Sequence, residues 1–128
     1  MWKIEPVESG WDKDHKKYEK KRPTELAAVL RNLKRYQALL ETAKNSRSVQ
    51  AGFLHFEPMG VVAVDQKGGG PHLQETRLYT YADDSTQTLY LIAIGDKDGQ
   101  HSDIEYCKAF VHSIRDKETP TPTAKKTT

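Results

Sequence analysis

Few residues of this 128-residue chain are of types and spacings that do chemistry. Arg77 opens a strand-like run inside an acidic segment. Its guanidinium suits an ion pair with Glu75 or an aspartate, or a phosphate; the spacing by itself favours the ion pair. The five histidines are His15, His55, His72, His101 and His112. No two are four residues apart and no His-Glu-x-x-His occurs, so the spacing supports no metal centre. His55 and His72 read as ordinary loop residues. His101 stands in the loop after the most apolar strand, beside Lys97 and ahead of Tyr106, and a lone loop histidine is most often solvated or structural. Cys107 falls on an apolar helical stripe, which makes it a buried, inert thiol. Gly68-Gly69-Gly70 lacks the Gly-Lys-Ser/Thr ending of a phosphate loop and the spacing of a dinucleotide fingerprint. It reads as a flexible connection, with a gate or lid as the lesser alternative. These residues call for no metal and no cofactor.

The elements that must position them follow from hydrophobic period and turn chemistry. Trp2 to Val7 alternates as a short strand, and Pro6 confines it to an edge or a strand end. Trp11, His15 and Tyr18 form one stripe of a polar helix over 11–21, closed by Pro23. Thr24 is the expected N-cap of a second helix. Leu26, Val29, Leu30, Leu33, Tyr36 and Leu40 carry its stripe, and its end is expected near Ala43-Lys44-Asn45. Two helices joined at a proline predict an antiparallel hairpin. Val61–Val64, Arg77–Tyr81 and Thr88–Ile94 read as strands, the last so apolar that both its faces must be covered. Ala82–Gln87 is turn chemistry between the last two. Ser102 or Asp103 is the expected cap of a final helix carrying Ile104, Cys107, Phe110, Val111 and Ile114. The fold class is therefore α+β: two N-terminal helices packed on a small curved antiparallel sheet, with a C-terminal helix. A single domain over 1–115 is expected, followed by a disordered Thr/Pro/Lys tail over 116–128.

Composition sets the outer bounds. Hydrophobic residues make up 36% and charged residues 30% of the chain, enough for one small core. One cysteine excludes an internal disulfide and a cysteine zinc site. No run approaches the roughly 18 apolar residues of a membrane span. The first residues have no apolar h-region, so a cytoplasmic protein without a membrane partner is expected. The net charge of +2 hides an asymmetry: residues 1–47 carry +5, 48–103 carry −5 and 104–128 carry +2. The basic half offers phosphates a positive face, although a Lys-rich helix face is commonly just solvated.

This order of elements resembles the RelE/ParE toxin superfamily of bacterial toxin–antitoxin systems. The matching stretches are the Lys-rich helix Trp11–Arg22, the Leu26–Leu40 helix, Arg77-Leu78-Tyr79-Thr80-Tyr81 and, most specifically, Leu89-Tyr90-Leu91-Ile92-Ala93-Ile94-Gly95-Asp96-Lys97. The resemblance spans roughly residues 1–115. It implies a RelE-like toxin that cuts mRNA in the ribosomal A site, a metal-independent endoribonuclease in which the ribose 2′-OH is the nucleophile. Such chemistry needs a base, an acid and cations on the scissile phosphate. By position, Arg77 and Lys97 match the phosphate-contacting cations, and Tyr106 or His101 the proton-transfer residue. Lys67 matches a weaker basic contact, with Lys20 and Lys21 on the RNA-binding side. The implied partners are a cognate antitoxin, the ribosome and mRNA.

The chain departs from that pattern in charge. Residues 48–103 hold three cations, Lys67, Arg77 and Lys97, against eight acids. Where the family clusters Lys and Arg, Asp96-Lys97-Asp98 stands, and acids beside a phosphate site raise the cost of binding RNA. Two alternatives therefore accompany the nuclease: a ParE-like toxin that binds a protein such as gyrase, and a non-catalytic interaction module of the same fold.

Overall fold

In the computed structural model, which describes residues 1–7 and 10–118, the periodic Leu26–Leu40 segment lies within helix α2, Pro23–Thr42. It follows α1, Trp11–Lys21, and strand β1, Lys3–Pro6. Strands β2 (Leu54–Phe56), β3 (Val61–Val64), β4 (Thr76–Asp83) and β5 (Thr88–Asp96) come next, and helix α3 spans Gln100–Glu118. The α+β class and the two-helix, sheet, C-terminal-helix order are as the sequence predicts.

The five strands form one sheet in the order β1-β5-β4-β3-β2. Four of them pair antiparallel, but β1 lies parallel to β5, with Ile4 opposite Leu89, so the sheet is mixed. Pro6 ends this edge strand, where its missing N–H breaks no ladder. Two α2 side chains hold β1 in place. Glu41 accepts from the Trp2 amide at 2.8 Å, and Gln37 donates to the Trp2 carbonyl at 2.8 Å.

Helices cover both faces of the sheet, as the apolar β5 requires. The α1–α2 hairpin buries Trp11, Tyr18, Val29, Leu33 and Tyr36 against Leu78, Leu89 and Leu91. On the other face, α3 buries Cys107 and Val111 against Val61, Tyr79 and Ile92. A bulge serves both layers. Tyr79 pairs with Ala93 but Thr80 pairs with Leu91, so Ile92 is an extra residue on β5. Leu91 packs with the hairpin, Ile92 and Ala93 with α3, and Ile94 with the hairpin again. Each fully buried Leu or Ile of this layer contributes about 1.5–3 kcal/mol relative to exposure.

Several local expectations are corrected. Strand β2 forms from Leu54-His55-Phe56, so His55 is a strand residue and its Nε2 lies 2.7 Å from Asp65 Oδ2. Helix α2 starts at Pro23 without a side-chain cap, so Thr24 lies inside it; proline is pre-organised for the first turn. It ends at Thr42, one residue short of the expected Ala43-Lys44-Asn45. Helix α3 starts at Gln100, which places His101 in its first turn and leaves Ser102 and Asp103 inside it. It also continues through 116–118, which the sequence assigned to a disordered tail. The remainder of that tail, 119–128, lies outside the described residues.

The glycine loop is anchored and is not a free connection. Asn32, fully buried, donates through Nδ2 to the carbonyls of Asp65 (2.9 Å) and Lys67 (3.0 Å). Glu25 accepts from the Gln74 amide at 3.0 Å. At Gly69 an added Cβ would come within 2.5 Å of the Ala28 Cβ, so only glycine lets the loop lie on α2. No helix among the described residues is long and apolar enough to cross a membrane.

Candidate functional site

The start of β4 and the end of β5 meet in register, Thr76 opposite Asp96 and Arg77 opposite Gly95. This end of the sheet gathers most of the partly buried charge in the molecule. Arg77 shares the strand face of Tyr79 and Tyr81, toward α3. Its side chain is only 15% exposed, held between two carboxylates: Nε lies 3.1 Å from Glu75 Oε2 and Nη1 3.5 Å from Glu57 Oε2. The ion pair favoured by the spacing is present, and a second acid joins it. Glu57, at the far end of β2, is twenty residues away in sequence, and no local signal announces it.

Arg22, between α1 and α2, extends the charge network. Its Nη2 lies 3.7 Å from Asp96 Oδ2, Nη1 donates to the Glu75 carbonyl at 3.4 Å, and the guanidinium sits 5.8 Å from the Tyr18 ring centroid. Lys97 is exposed beside it, on a shallow depression of about 270 Å³ shared with Glu75, Asp96 and Asp98.

Beyond Gly95 lies a group of acids. Asp14 of α1 accepts from the Ile94 amide at 3.1 Å. Asp96 accepts from the Gly99 amide at 3.1 Å. Asp103 of α3 packs so closely over Gly95 that a Cβ there would overlap its carboxylate. Burial first, then Asp14 and Asp96, push the Asp103 carboxyl up to about 6, against a lowering influence from Lys17. Tyr79 is fully buried near this group. Its phenol is pushed well above the usual range by burial and by Asp103, and its hydroxyl has no hydrogen-bond partner among the described residues. Cys107 is fully buried and its thiol is pushed up to about 12 by burial first, then Asp103 and Glu57, which makes it inert as the stripe predicts.

The other predicted site residues are dispersed. His101 and Tyr106 are both exposed on α3, five residues apart, and therefore point to well-separated sides of the helix. Tyr106 leans toward the start of α1, where a Cβ on Gly10 would lie 3.6 Å from its hydroxyl oxygen. Lys67 belongs to the loop anchored on α2, where its carbonyl also accepts from Arg31 at 3.4 Å. Lys20 and Lys21 are exposed in the last turn of α1. Arg77 and Lys97 are thus brought to one end of the sheet, with His101 in the helical turn that follows Lys97 and Lys20 and Lys21 in the turn that precedes Arg22, whereas Tyr106 lies on another side of α3 and Lys67 in the loop anchored on α2. Among the described residues no group of three or more His, Cys, Asp or Glu side chains is arranged to hold a metal ion.

In comparisons with known proteins, the chain matches no family model, no curated protein and no solved structure.

Chemically, this end of the sheet is an acid-rich joint, with Arg22, Arg77 and Lys97 set among Asp14, Glu57, Glu75, Asp96, Asp98 and Asp103. Two arginines bind acids from three parts of the chain, and one carboxyl group, that of Asp103, exchanges its proton near neutral pH. Lys97, unlike Arg22 and Arg77, faces solvent without an ion pair among the described residues.

Proposed function

We propose that this chain is a RelE/ParE-like toxin that acts by binding its target, in the manner of the ParE-like members, and not by cutting RNA. The superfamily reading rests on the resemblance of the two strand motifs and on an element order that fits it. The choice of mode rests on the double carboxylate clamp on Arg77. A phosphate reaching that guanidinium must displace Glu57 and Glu75 and leave both charges beside a new anion, which opposes binding.

The partners follow from the same reading. The exposed Lys13, Lys16, Lys17, Lys20, Lys21 and Lys34 of the hairpin form no ion pairs among the described residues. Such a face suits an acidic antitoxin segment. The target is a protein such as gyrase, reached in the cytoplasm. Growth arrest on expression, inhibition of supercoiling by the purified chain and intact cell-free translation are the expected results. Arrest accompanied by cleaved A-site mRNA would overturn the mode. Harmless expression would remove both toxin modes and leave the interaction module.

One observation favours the nuclease as a second reading. Lys97 and His101 are exposed on the loop and first turn after β5, close in sequence to Asp103, which holds its proton to about pH 6. Under that reading these residues supply the cation and the acid, and Lys97→Ala should abolish arrest.

A further inference from the structure

The opposite end of β4 carries a notch. Strand β3 begins at Val61, opposite Tyr81, so Ala82 and Asp83 run on past it without a β3 partner. The space beside them measures about 290 Å³. That is just under the roughly 300–1,000 Å³ of small-ligand sites, so an occupant of this size stays partly in solvent.

Three features of its wall point to one ligand chemistry. Phe56, the last residue of the edge strand β2, lines the notch with 55% of its surface exposed. Arg47, from the turn after α2, and Arg115, from α3, line the same space. Neither forms an ion pair among the described residues; Arg115 donates only to the Met59 carbonyl, at 3.2 Å. Two carboxylates share the notch and keep their charge, but they are held by neutral serine donors and form no ion pair with either arginine among the described residues. Asp84 accepts from the Ser46 amide (2.9 Å) and hydroxyl (2.6 Å), and Asp83 from the Ser85 amide (3.0 Å) and hydroxyl (2.7 Å). Glycine keeps the wall thin. Gly60 has φ +81°, and a Cβ there would stand 3.3 Å from the Tyr81 ring and 3.8 Å from the Arg115 guanidinium.

An exposed ring beside two arginines matches a ligand that is flat and aromatic at one end and anionic at the other. An acidic peptide would use the arginines and leave the ring in water; an apolar peptide would do the reverse. We propose that the notch binds a nucleotide, with the base stacked on Phe56 and the phosphate on Arg47 and Arg115. The proposal is independent of the toxin reading, since it concerns the end of β4 away from Arg77.

The test is a titration of the ¹⁵N-labelled full chain with each of the four nucleoside 5′-monophosphates, with inorganic phosphate and with a short acidic peptide. Saturable amide shifts at Phe56, Gly60 and Ser85 are expected with at least one nucleotide, and much weaker ones with the other two probes. Phe56→Ala should weaken nucleotide binding roughly ten-fold through the lost stack. It should leave the response to inorganic phosphate unchanged. Arg47→Gln, at an exposed position, should weaken binding of both nucleotide and phosphate. The proposal is overturned if no nucleotide gives saturable shifts, if phosphate or peptide binds as tightly as the nucleotide, or if the shifts map to the Lys97 end. Thermal melts of both variants confirm that the fold is retained.

Discussion

Replacing Asp103 with asparagine should stabilise the protein at pH 8 and leave its stability almost unchanged at pH 4. The folded-state carboxyl sits at about 6, against an ordinary value of 3.8. The folded protein therefore binds this proton more tightly than the unfolded chain does. The stability contributed by that proton is complete below about pH 4 and is lost as pH rises through about 6. At full burial a rise of about 2 in pKa is worth about 3 kcal/mol. Asp103 is only partly buried, and solvent screening reduces this to about 1–2 kcal/mol. Its place in the first turn of α3 offsets part of the effect, because a negative charge there is favoured by about 0.3–1 kcal/mol. The net gain expected for Asp103→Asn at pH 8 is about 1 kcal/mol, or about 4 °C in Tm for a domain of this size. Asparagine has nearly the shape of aspartate, so the close contact over Gly95 survives the change. Thermal melts of both proteins between pH 4 and pH 8 measure the difference. A difference that does not vary with pH, or an asparagine variant less stable at pH 8, would refute the account in which burial first, then Asp14 and Asp96, hold the proton on Asp103.

Other substitutions test neighbouring parts of the structure. Gly95→Ala drives a Cβ into the Asp103 carboxylate and should cost about 1–3 kcal/mol in a denaturant titration; most of that loss should return in the double variant with Asp103→Ala. Asn32→Ala leaves the carbonyls of Asp65 and Lys67 without their buried donor. A loss of about 1–3 kcal/mol is expected, with faster amide exchange in the glycine loop. Arg77→Ala leaves Glu57 and Glu75 without their counter-charge and should destabilise the fold by about 1–3 kcal/mol, less in the company of Glu57→Gln. Cys107 should resist a thiol reagent at pH 8 in the native protein and react promptly in denaturant, because burial holds its proton up to about 12.

These expectations draw on features of unequal visibility in the sequence. The α2 stripe, the double coverage of β5, the edge position of Pro6 and the burial of Cys107 are all carried by local period and residue type, and they are present. Strand β2 escapes because three residues between two turns show no period of their own. The parallel pairing of β1 with β5 joins residues about 85 apart, beyond any local pattern. The site suffers most from this limit. Glu75 stands two residues from Arg77 and is foreseeable as its partner, whereas Glu57 and Arg22 join the network only through the sheet and the helical hairpin. Asp103 looks like a helix cap in the sequence, and only its burial over Gly95, with Asp14 and Asp96 nearby, turns it into a proton-holding group. The glycine loop misleads in the opposite direction, since Asn32 and Ala28, far upstream, make it an anchored segment.

Mapping mRNA 5′ ends in cells expressing the chain tests the binding mode most directly. Growth arrest without new in-frame cleavage sites, retained by the folded Arg77→Ala/Glu57→Gln variant, is the predicted result. Codon-phased cuts that appear with the wild-type chain and disappear in that variant would contradict it and return Arg77 to the scissile phosphate.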